Sequence, residues 1–183
     1  MADRATRYGT TAQVLHWLVA IGILLMIPAG LIMVRDGLPR ALQDALFLFH
    51  KNIGVVLFLI VVLRIVWRAT HPAPPLPPQM PAWQRRIAAV SHLALYVLLV
   101  VMPVTGYLRV RAGGYPIEAL DALGVPAMVA RNKAFGEAAS QVHEVAAFLL
   151  IGLLAMHIGA ALHHALIRRD GVWSRMWPIG GRD

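Results

Sequence analysis

Cysteine is absent from this chain of 183 residues. Its absence excludes disulfides, thiolate metal sites, iron–sulfur clusters and c-type haem, whose covalent attachment needs two cysteines. Charged residues are also scarce, at 14% of the chain against 58% hydrophobic residues. Soluble domains carry about 25% charged residues, so the composition excludes an ordinary soluble domain. In so apolar a chain, the net charge of +8 does not indicate nucleic-acid binding.

Long uncharged runs predict membrane-spanning helices. Residues 14–34, 87–108 and 145–167 carry no formal charge, and each run reaches the roughly 20 residues that a bilayer requires. A fourth run, 46–67, contains Lys51 and Arg64, whose long side chains can extend to the membrane surface. We therefore predict an all-α membrane protein with a single domain, 1–183. Its four transmembrane helices lie at about 12–34, 46–68, 87–109 and 142–168.

Basic residues predict the orientation of these spans. Four spans put both termini on one side, and that side holds ten of the 17 Lys and Arg residues. The positive-inside rule then places both termini in the cytoplasm. On that side the proline-rich loop 71–81 is predicted to be extended. The one long loop, 112–141, lies on the periplasmic side, and 116–123 within it is predicted as a short interfacial helix.

Histidines supply the polar groups at membrane depth. His143 and His157 lie 14 residues apart in the fourth span, which is about 21 Å along a helix and nearly the same helix face. His50 enters the second span at the depth of His143. His16 enters the first span toward the level of His157, although it lies closer to its helix end than His157 does.

Two histidine pairs at two depths fit two b-type haems, each bound by two axial imidazoles between facing helices. A structural zinc site is the competing reading, but it needs four ligands in one place. Two axial histidines leave no open position on the iron, which favours electron transfer over oxygen chemistry. The cofactors predicted in this way are two haem b groups per chain.

Further polar residues are candidates for cofactor contacts. Arg64 follows His50 by 14 residues and is predicted to pair with a haem propionate or to reach the lipid headgroups. His92 is predicted to make a structural or quinone-site hydrogen bond. His164 is predicted to contact quinone or a propionate, or to be structural at the interface. The predicted quinone pocket lies near His16, Trp17, His92 and His164.

The ordered set of motifs resembles the bacterial cytochrome b561 family, small four-helix membrane cytochromes with two haems. The resemblance runs from about Tyr8 to Pro178. The matching pieces are 15–17 (LHW), 49–54 (FHKNIG), 62–64 (VLR) with the proline-rich loop behind it, His92 to Tyr96, 142–144 (VHE), His157, His163 with His164, Asp170 and 175–178 (RMWP).

This resemblance implies a location in the bacterial inner membrane and a set of haem ligands. His50 with His143 would hold the periplasmic haem, and His16 with His157 the cytoplasmic haem. It further implies an oxidoreductase that passes single electrons from periplasmic superoxide to ubiquinone. Basic residues can steer a small anion, and the candidates for this role are Lys51, Arg35, Arg109 and Arg111.

Alternative functions remain open from the sequence. The same haems would also serve an electron-transfer subunit that links the quinone pool to a dehydrogenase, a hydrogenase or a soluble periplasmic redox protein. A histidine-based metal transporter is a distant alternative, which predicts one clustered site and broken helices. The predicted partners are therefore quinone, superoxide and membrane lipid, with no nucleic acid.

Overall fold

The computed structural model describes residues 7–76 and 80–177. Within these ranges every regular element is helical and no strand occurs. Residues 77–79 of the predicted proline-rich loop, and Pro178 of the C-terminal motif, lie outside the described residues. The elements are α1 (Thr10–Met33), α2 (Arg40–Thr70), α3 (Ala82–Ala112), α4 (Glu118–Ala122) and α5 (Lys133–His163), then a π-helical turn (His164–Arg168) and a 3₁₀ turn (Trp173–Arg175).

Four helices are long and apolar enough to cross a membrane, in agreement with the prediction. α1 is 24 residues long, and α2 and α3 have 31 residues each. The fourth is α5, which continues through the π-helical turn. The first and last described residues, Arg7 and Trp177, lie on one side of this bundle, which we call the termini face. The opposite side, with α4, is the loop face.

The helices extend beyond the predicted spans, most clearly on the loop face. α2 begins at Arg40 rather than near residue 46, and α5 begins at Lys133 rather than near residue 142. The long loop therefore shrinks from 112–141 to 113–132, and α4 is the interfacial helix predicted within it. The predicted spans were ended at charged residues, because charge is unfavourable in the apolar part of the bilayer. Outside that part, charged residues are solvated and the helix continues. Asn132 caps α5 by accepting a hydrogen bond from the Phe135 amide at 3.0 Å.

The bundle is built from two helix pairs. α1 packs chiefly against α2, and α3 against α5, so a seam runs between the pairs. Near mid-depth the seam is closed by a cluster of buried apolar side chains: Val19, Ile23, Val61 and Leu150. Leu150 lies seven residues from both His143 and His157, so the cluster separates the two levels at which these histidines lie.

On the termini face, one buried arginine ties three segments together. Arg175 is 8% exposed, and its Nη2 donates to the carbonyl oxygens of Pro74 and Pro75 at 2.8 Å each. The Arg175 carbonyl in turn accepts from the Tyr8 amide at 3.2 Å and from the Gln13 side chain at 3.3 Å. The C-terminal segment is thereby fixed to the start of α1 and to the loop after α2.

We expect Arg175→Ala to lower the free energy of unfolding by about 2–4 kcal/mol, because two hydrogen bonds from a charged donor are lost. Thermal unfolding of the purified protein in detergent measures the change. Arg85→Ala is the control, since Arg85 is exposed on the same face. Equal stability of the two variants would contradict the structural role of Arg175.

Candidate functional site

The first histidine pair lies toward the loop face of the seam. His50 and His143 lie ten residues after the first residues of α2 and α5, respectively. Both helices start on the loop face, so equal distances along them give equal depths. The centres of the two imidazole rings are 6.5 Å apart. The helix register alone therefore brings these two predicted residues face to face.

The second pair lies toward the termini face. His16 is six residues after the first residue of α1, and His157 is six residues before the last residue of α5. Their ring centres are 6.3 Å apart. The depth mismatch expected from the sequence is absent, because α1 begins at Thr10 and the α-helical part of α5 ends at His163.

Both separations fit a metal atom bound between two imidazoles. A metal–nitrogen bond of about 2.0 Å and about 1.1 Å from nitrogen to ring centre, counted on both sides, place the ring centres about 6.2 Å apart. The two observed separations lie within 0.3 Å of that value. The donor set, two imidazoles per level across a seam between helices, is the one that b-type haem uses.

The loop-face rings are held by their surroundings. His143 Nδ1 lies 3.0 Å from the Met102 carbonyl oxygen and 3.1 Å from Thr105 Oγ1. The carbonyl can only accept, so Nδ1 carries the proton and Nε2 is left as the metal-binding nitrogen. His50 Nδ1 is buried near the Met26 carbonyl but outside hydrogen-bond geometry. Thr105 and the Met102 carbonyl are contacts that the sequence analysis missed.

Two glycines leave room beside these rings. A Cβ atom on Gly30 would lie 2.9 Å from His50 Cε1, and one on Gly106 would lie 3.3 Å from His143 Cε1. Both glycines line a cavity of about 1830 Å³ that extends from the His50–His143 pair to α4. The cavity is large enough for the macrocycle of a haem. A larger side chain in place of either glycine would occupy part of it.

A third histidine stands beside the termini-face pair. The His92 ring centre is 5.4 Å from that of His157, closer than the His16 ring. This ring-centre distance is shorter than the distance of about 6.2 Å expected for two imidazoles bound to one metal atom. His92 thus lies next to the His16–His157 pair, and its structural or quinone-site role stays a prediction.

The other predicted cofactor contacts have protein partners in the structure. Arg64 Nη1 donates to the Ala12 carbonyl at 3.2 Å, and its guanidinium carbon lies 5.8 Å from the Tyr96 ring centre. Trp17 packs edge-on against the His16 ring at 5.6 Å and donates to the Met176 carbonyl at 2.9 Å.

His164 Nδ1 lies 2.7 Å from Asp170 Oδ2. Burial raises the pKa of Asp170, but hydrogen bonds from His164 and the Val172 amide outweigh burial and lower it. Asp170 therefore stays ionised below the usual range of an aspartate and holds this end of α5 to the C-terminal segment. The same contact leaves Nε2 of His164 as the ring nitrogen available to a ligand.

The four basic residues predicted to steer superoxide are not equivalent. Lys51 forms an ion pair with Glu118 at 2.6 Å, and the buried Arg111 forms one with Asp121 at 2.5 Å. Arg109 is half-buried, lines the cavity, and interacts electrostatically with His50 and His143. Arg35 is exposed at the end of α1. Of these four residues, Arg35 and Arg109 form no salt bridge among the described residues, and Arg109 lines the cavity together with Glu144, which interacts with it electrostatically.

Sequence comparison identifies the family. The sequence profile of prokaryotic cytochrome b561 matches residues 7–179. The chain belongs to the prokaryotic cytochrome b561 family. It is 37% identical over 175 residues to cytochrome b561 homolog 2 of Escherichia coli (strain K12), which covers 93% of this chain and 90% of that protein. Cytochrome b561 homolog 1 of the same organism is 26% identical over 174 residues, 94% of this chain and 97% of the relative.

A further relative is the probable superoxide oxidase CybB of Yersinia pestis, 25% identical over 164 residues, with 90% of this chain and 92% of the relative covered. Membership of the cytochrome b561 family makes the chain a multi-pass bacterial membrane haem protein of an electron-transfer family. The family implies b-type haem, which agrees with the two histidine pairs. Among the described residues, no group of three or more His, Cys, Asp or Glu is arranged to hold a metal ion.

We expect Gly30→Val to lower the haem content, because the new side chain meets the His50 ring. The pyridine haemochrome assay on purified protein measures haem per chain. Gly152→Val is the matched control, since a Cβ there has no neighbour within 4 Å. Unchanged haem content in Gly30→Val, or equal loss in both variants, would contradict a role for Gly30 in admitting haem.

Proposed function

We propose that this cytochrome b561 family member oxidises superoxide at its loop face and reduces ubiquinone within the membrane, with one haem b at each histidine pair. The observation that carries the proposal is the presence of two imidazole pairs at metal-binding separation, one toward each face of the bundle. The similarity to the probable superoxide oxidase CybB supports superoxide as the electron donor.

The reaction balances when water supplies two protons. Each superoxide gives up one electron and becomes dioxygen. Ubiquinone takes up two electrons and two protons and becomes ubiquinol. Two superoxide ions are therefore consumed for each ubiquinone. Haem b bound at the histidine pairs would supply the one-electron oxidation and reduction.

The chain's own residues have separate tasks in this proposal. Met102 and Thr105 orient His143, so its metal-binding nitrogen points across the seam. Leu150 and its neighbours exclude water between the two levels. His143 and His157 belong to one helix, and 14 residues of helix set their levels about 21 Å apart. A rigid helix therefore fixes the distance that an electron must cross.

On the loop face, Arg109 provides the positive charge nearest the His50–His143 pair. Lys51 and Arg111 add less to the attraction of an anion, because each is neutralised by a carboxylate. Arg35 adds a more distant exposed charge. The positive-inside distribution of basic residues supports a periplasmic loop face, where superoxide would arrive from water.

For the quinone, the termini face offers His92, His164 and Trp17 near the His16–His157 pair. His164 Nε2 and His92 could each hold a quinone carbonyl by a hydrogen bond. Arg64, at the same end of the bundle, is available to a haem propionate. Apolar helix surfaces facing the lipid give a quinone tail access from the membrane.

The decisive experiment uses the purified protein in detergent or nanodiscs. We expect two b haems per chain, rapid haem reduction on addition of superoxide, and reoxidation by added ubiquinone. Haem spectra followed by stopped flow measure all three. Haems that superoxide leaves oxidised but a quinol reduces would contradict the proposal and favour an electron-transfer subunit for a dehydrogenase, hydrogenase or periplasmic redox protein.

Ligand variants make this experiment specific. His50→Ala or His143→Ala should remove the loop-face haem, and His16→Ala or His157→Ala the termini-face haem. His71→Ala is the control, since His71 is exposed and stacks on Trp67. A haem content that none of the four substitutions changes would overturn the ligand assignment.

We expect Arg109→Gln to slow haem reduction by superoxide by about threefold to tenfold at low salt, because the cavity loses one of its positive charges, the one that interacts with both His50 and His143. The difference from wild type should shrink as ionic strength rises, since the screening length falls to about 8 Å at 0.15 M. Stopped-flow rates across a salt series measure both effects. Arg40→Gln is the control, because Arg40 also borders the cavity but already forms an exposed ion pair with Asp44. Equal rates for the two variants would contradict steering by Arg109.

A further inference from the structure

The short helix α4 covers the loop-face end of the cavity. Ile117 at its start is 3% exposed, and Glu118 and Leu120 line the cavity together with His50 and His143. A helix of five residues has no stability of its own in water. Its N-cap residue, Ile117, also has no side-chain oxygen to accept from the helix amides. Other parts of the chain must therefore hold α4 in place.

Two residues directly after His50 supply the missing contacts. Asn52 Oδ1 accepts from the Ala119 amide at 2.7 Å, and Asn52 Nδ2 donates to Glu118 Oε2 at 3.0 Å. Asn52 thus caps α4 from a different helix. Lys51 Nζ donates to the Pro116 carbonyl at 2.8 Å and to Glu118 Oε1 at 2.6 Å. All four contacts run from α2 to the first turn of α4.

Two contacts from α3 hold the other end of this segment. Arg111 Nη2 binds Asp121 Oδ1 at 2.5 Å, and the Tyr107 hydroxyl accepts from the Met128 amide at 2.9 Å. The Arg111 hydrogen bond lowers the pKa of Asp121. Burial raises the pKa of Glu118, but hydrogen bonds from Lys51 and Asn52 lower it further than burial raises it. Both carboxylates therefore remain charged at neutral pH.

These ion pairs differ from the other pairs on the loop face. The side chains of Lys51 and Arg111 are 15% and 8% exposed, so water screens their pairs only partly. The Lys133–Glu137 pair has a separation of 3.9 Å, and its side chains are 90% and 65% exposed. Such an exposed pair contributes little to stability. The loop face thus combines two anchored ion pairs at α4 with two solvated pairs elsewhere, Lys133–Glu137 and Arg40–Asp44.

We propose that Lys51, Asn52 and Glu118 are positioning residues that hold α4 as a roof over the His50–His143 site, and that the roof keeps bulky water-soluble reagents from it. This inference rests on the proposed function in one respect, namely that haem binds at this histidine pair. It gives Lys51 a role different from steering, because Glu118 neutralises its charge and both groups serve to fix α4. In this inference, a reactant as small as superoxide passes beside α4 and reaches the histidine pair. A larger redox reagent is blocked by α4.

The test uses the full-length haem-loaded protein with Glu118→Ala, and Glu137→Ala as the matched control for the same change in charge. Amide hydrogen exchange followed by mass spectrometry reports on α4, and oxidation of the dithionite-reduced haem by ferricyanide reports on access. In Glu118→Ala we expect exchange at 117–122 and the ferricyanide rate to rise about tenfold. In Glu137→Ala both should stay at wild-type values. Asn52→Ala should act like Glu118→Ala, although it changes no charge.

The outcomes separate this inference from the proposed function. A wild-type protein without haem would overturn the proposed function, whereas hydrogen exchange would still report how α4 is held. The proposed role of α4 would be wrong if Glu118→Ala binds haem but changes neither the hydrogen exchange of α4 nor the rate of haem oxidation by ferricyanide. Equal acceleration in Glu118→Ala and Glu137→Ala would also overturn it, because charge alone would then explain the rate. Faster exchange without faster oxidation would show that α4 is held but does not limit access.

Discussion

The separation of two imidazole rings across a seam between helix pairs is the constraint on which this structure depends. Polar rings inside a bilayer are costly unless they have partners, and a metal atom between them is such a partner. The register of the helices brings the rings together. His50 in α2 and His143 in α5 lie the same number of residues after the starts of their helices, so they lie at the same depth. Small residues such as Gly30 and Gly106 then keep the space beside the rings open. The apolar cluster around Leu150 closes the seam between the two levels.

Register explains why the central site could be predicted from the sequence. The 14-residue spacing of His143 and His157, and the entry points of His16 and His50, depend only on helical geometry and on span order. The four spans followed from hydrophobicity alone. The helices extend beyond the predicted spans, because charged residues that end an apolar run do not end a helix in the membrane interface. Ten residues of α2 precede His50, and only the last few of them lie in the predicted span.

The rest of the site could not be predicted, because it depends on contacts between distant residues with no periodic pattern. Lys51 and Glu118 are separated by 67 residues, and Arg175 binds carbonyls about a hundred residues before it. A lysine beside a histidine ligand was therefore interpreted as free charge, and the structure gives it a carboxylate partner. Backbone partners such as the Met102 carbonyl have no sequence signal at all. The hydrogen bond from Arg64 to the Ala12 carbonyl could not be predicted either, because its acceptor is also a backbone atom.

Hydrogen bonds and ion pairs hold both faces of the bundle, and the faces differ in where the ion pairs lie. On the termini face, Arg175, Gln13 and Trp17 donate to main-chain carbonyls, and Asp170 pairs with His164 and Arg168 at the end of α5. On the loop face, α4 depends on ion pairs, which respond to the charge of any group that enters the cavity. Arg109 forms no salt bridge among the described residues, although Glu144 interacts with it electrostatically from the same cavity. In the proposed function, an anion therefore meets Arg109 without displacing an ion pair, whereas Lys51 and Arg111 hold α4 through their carboxylate partners.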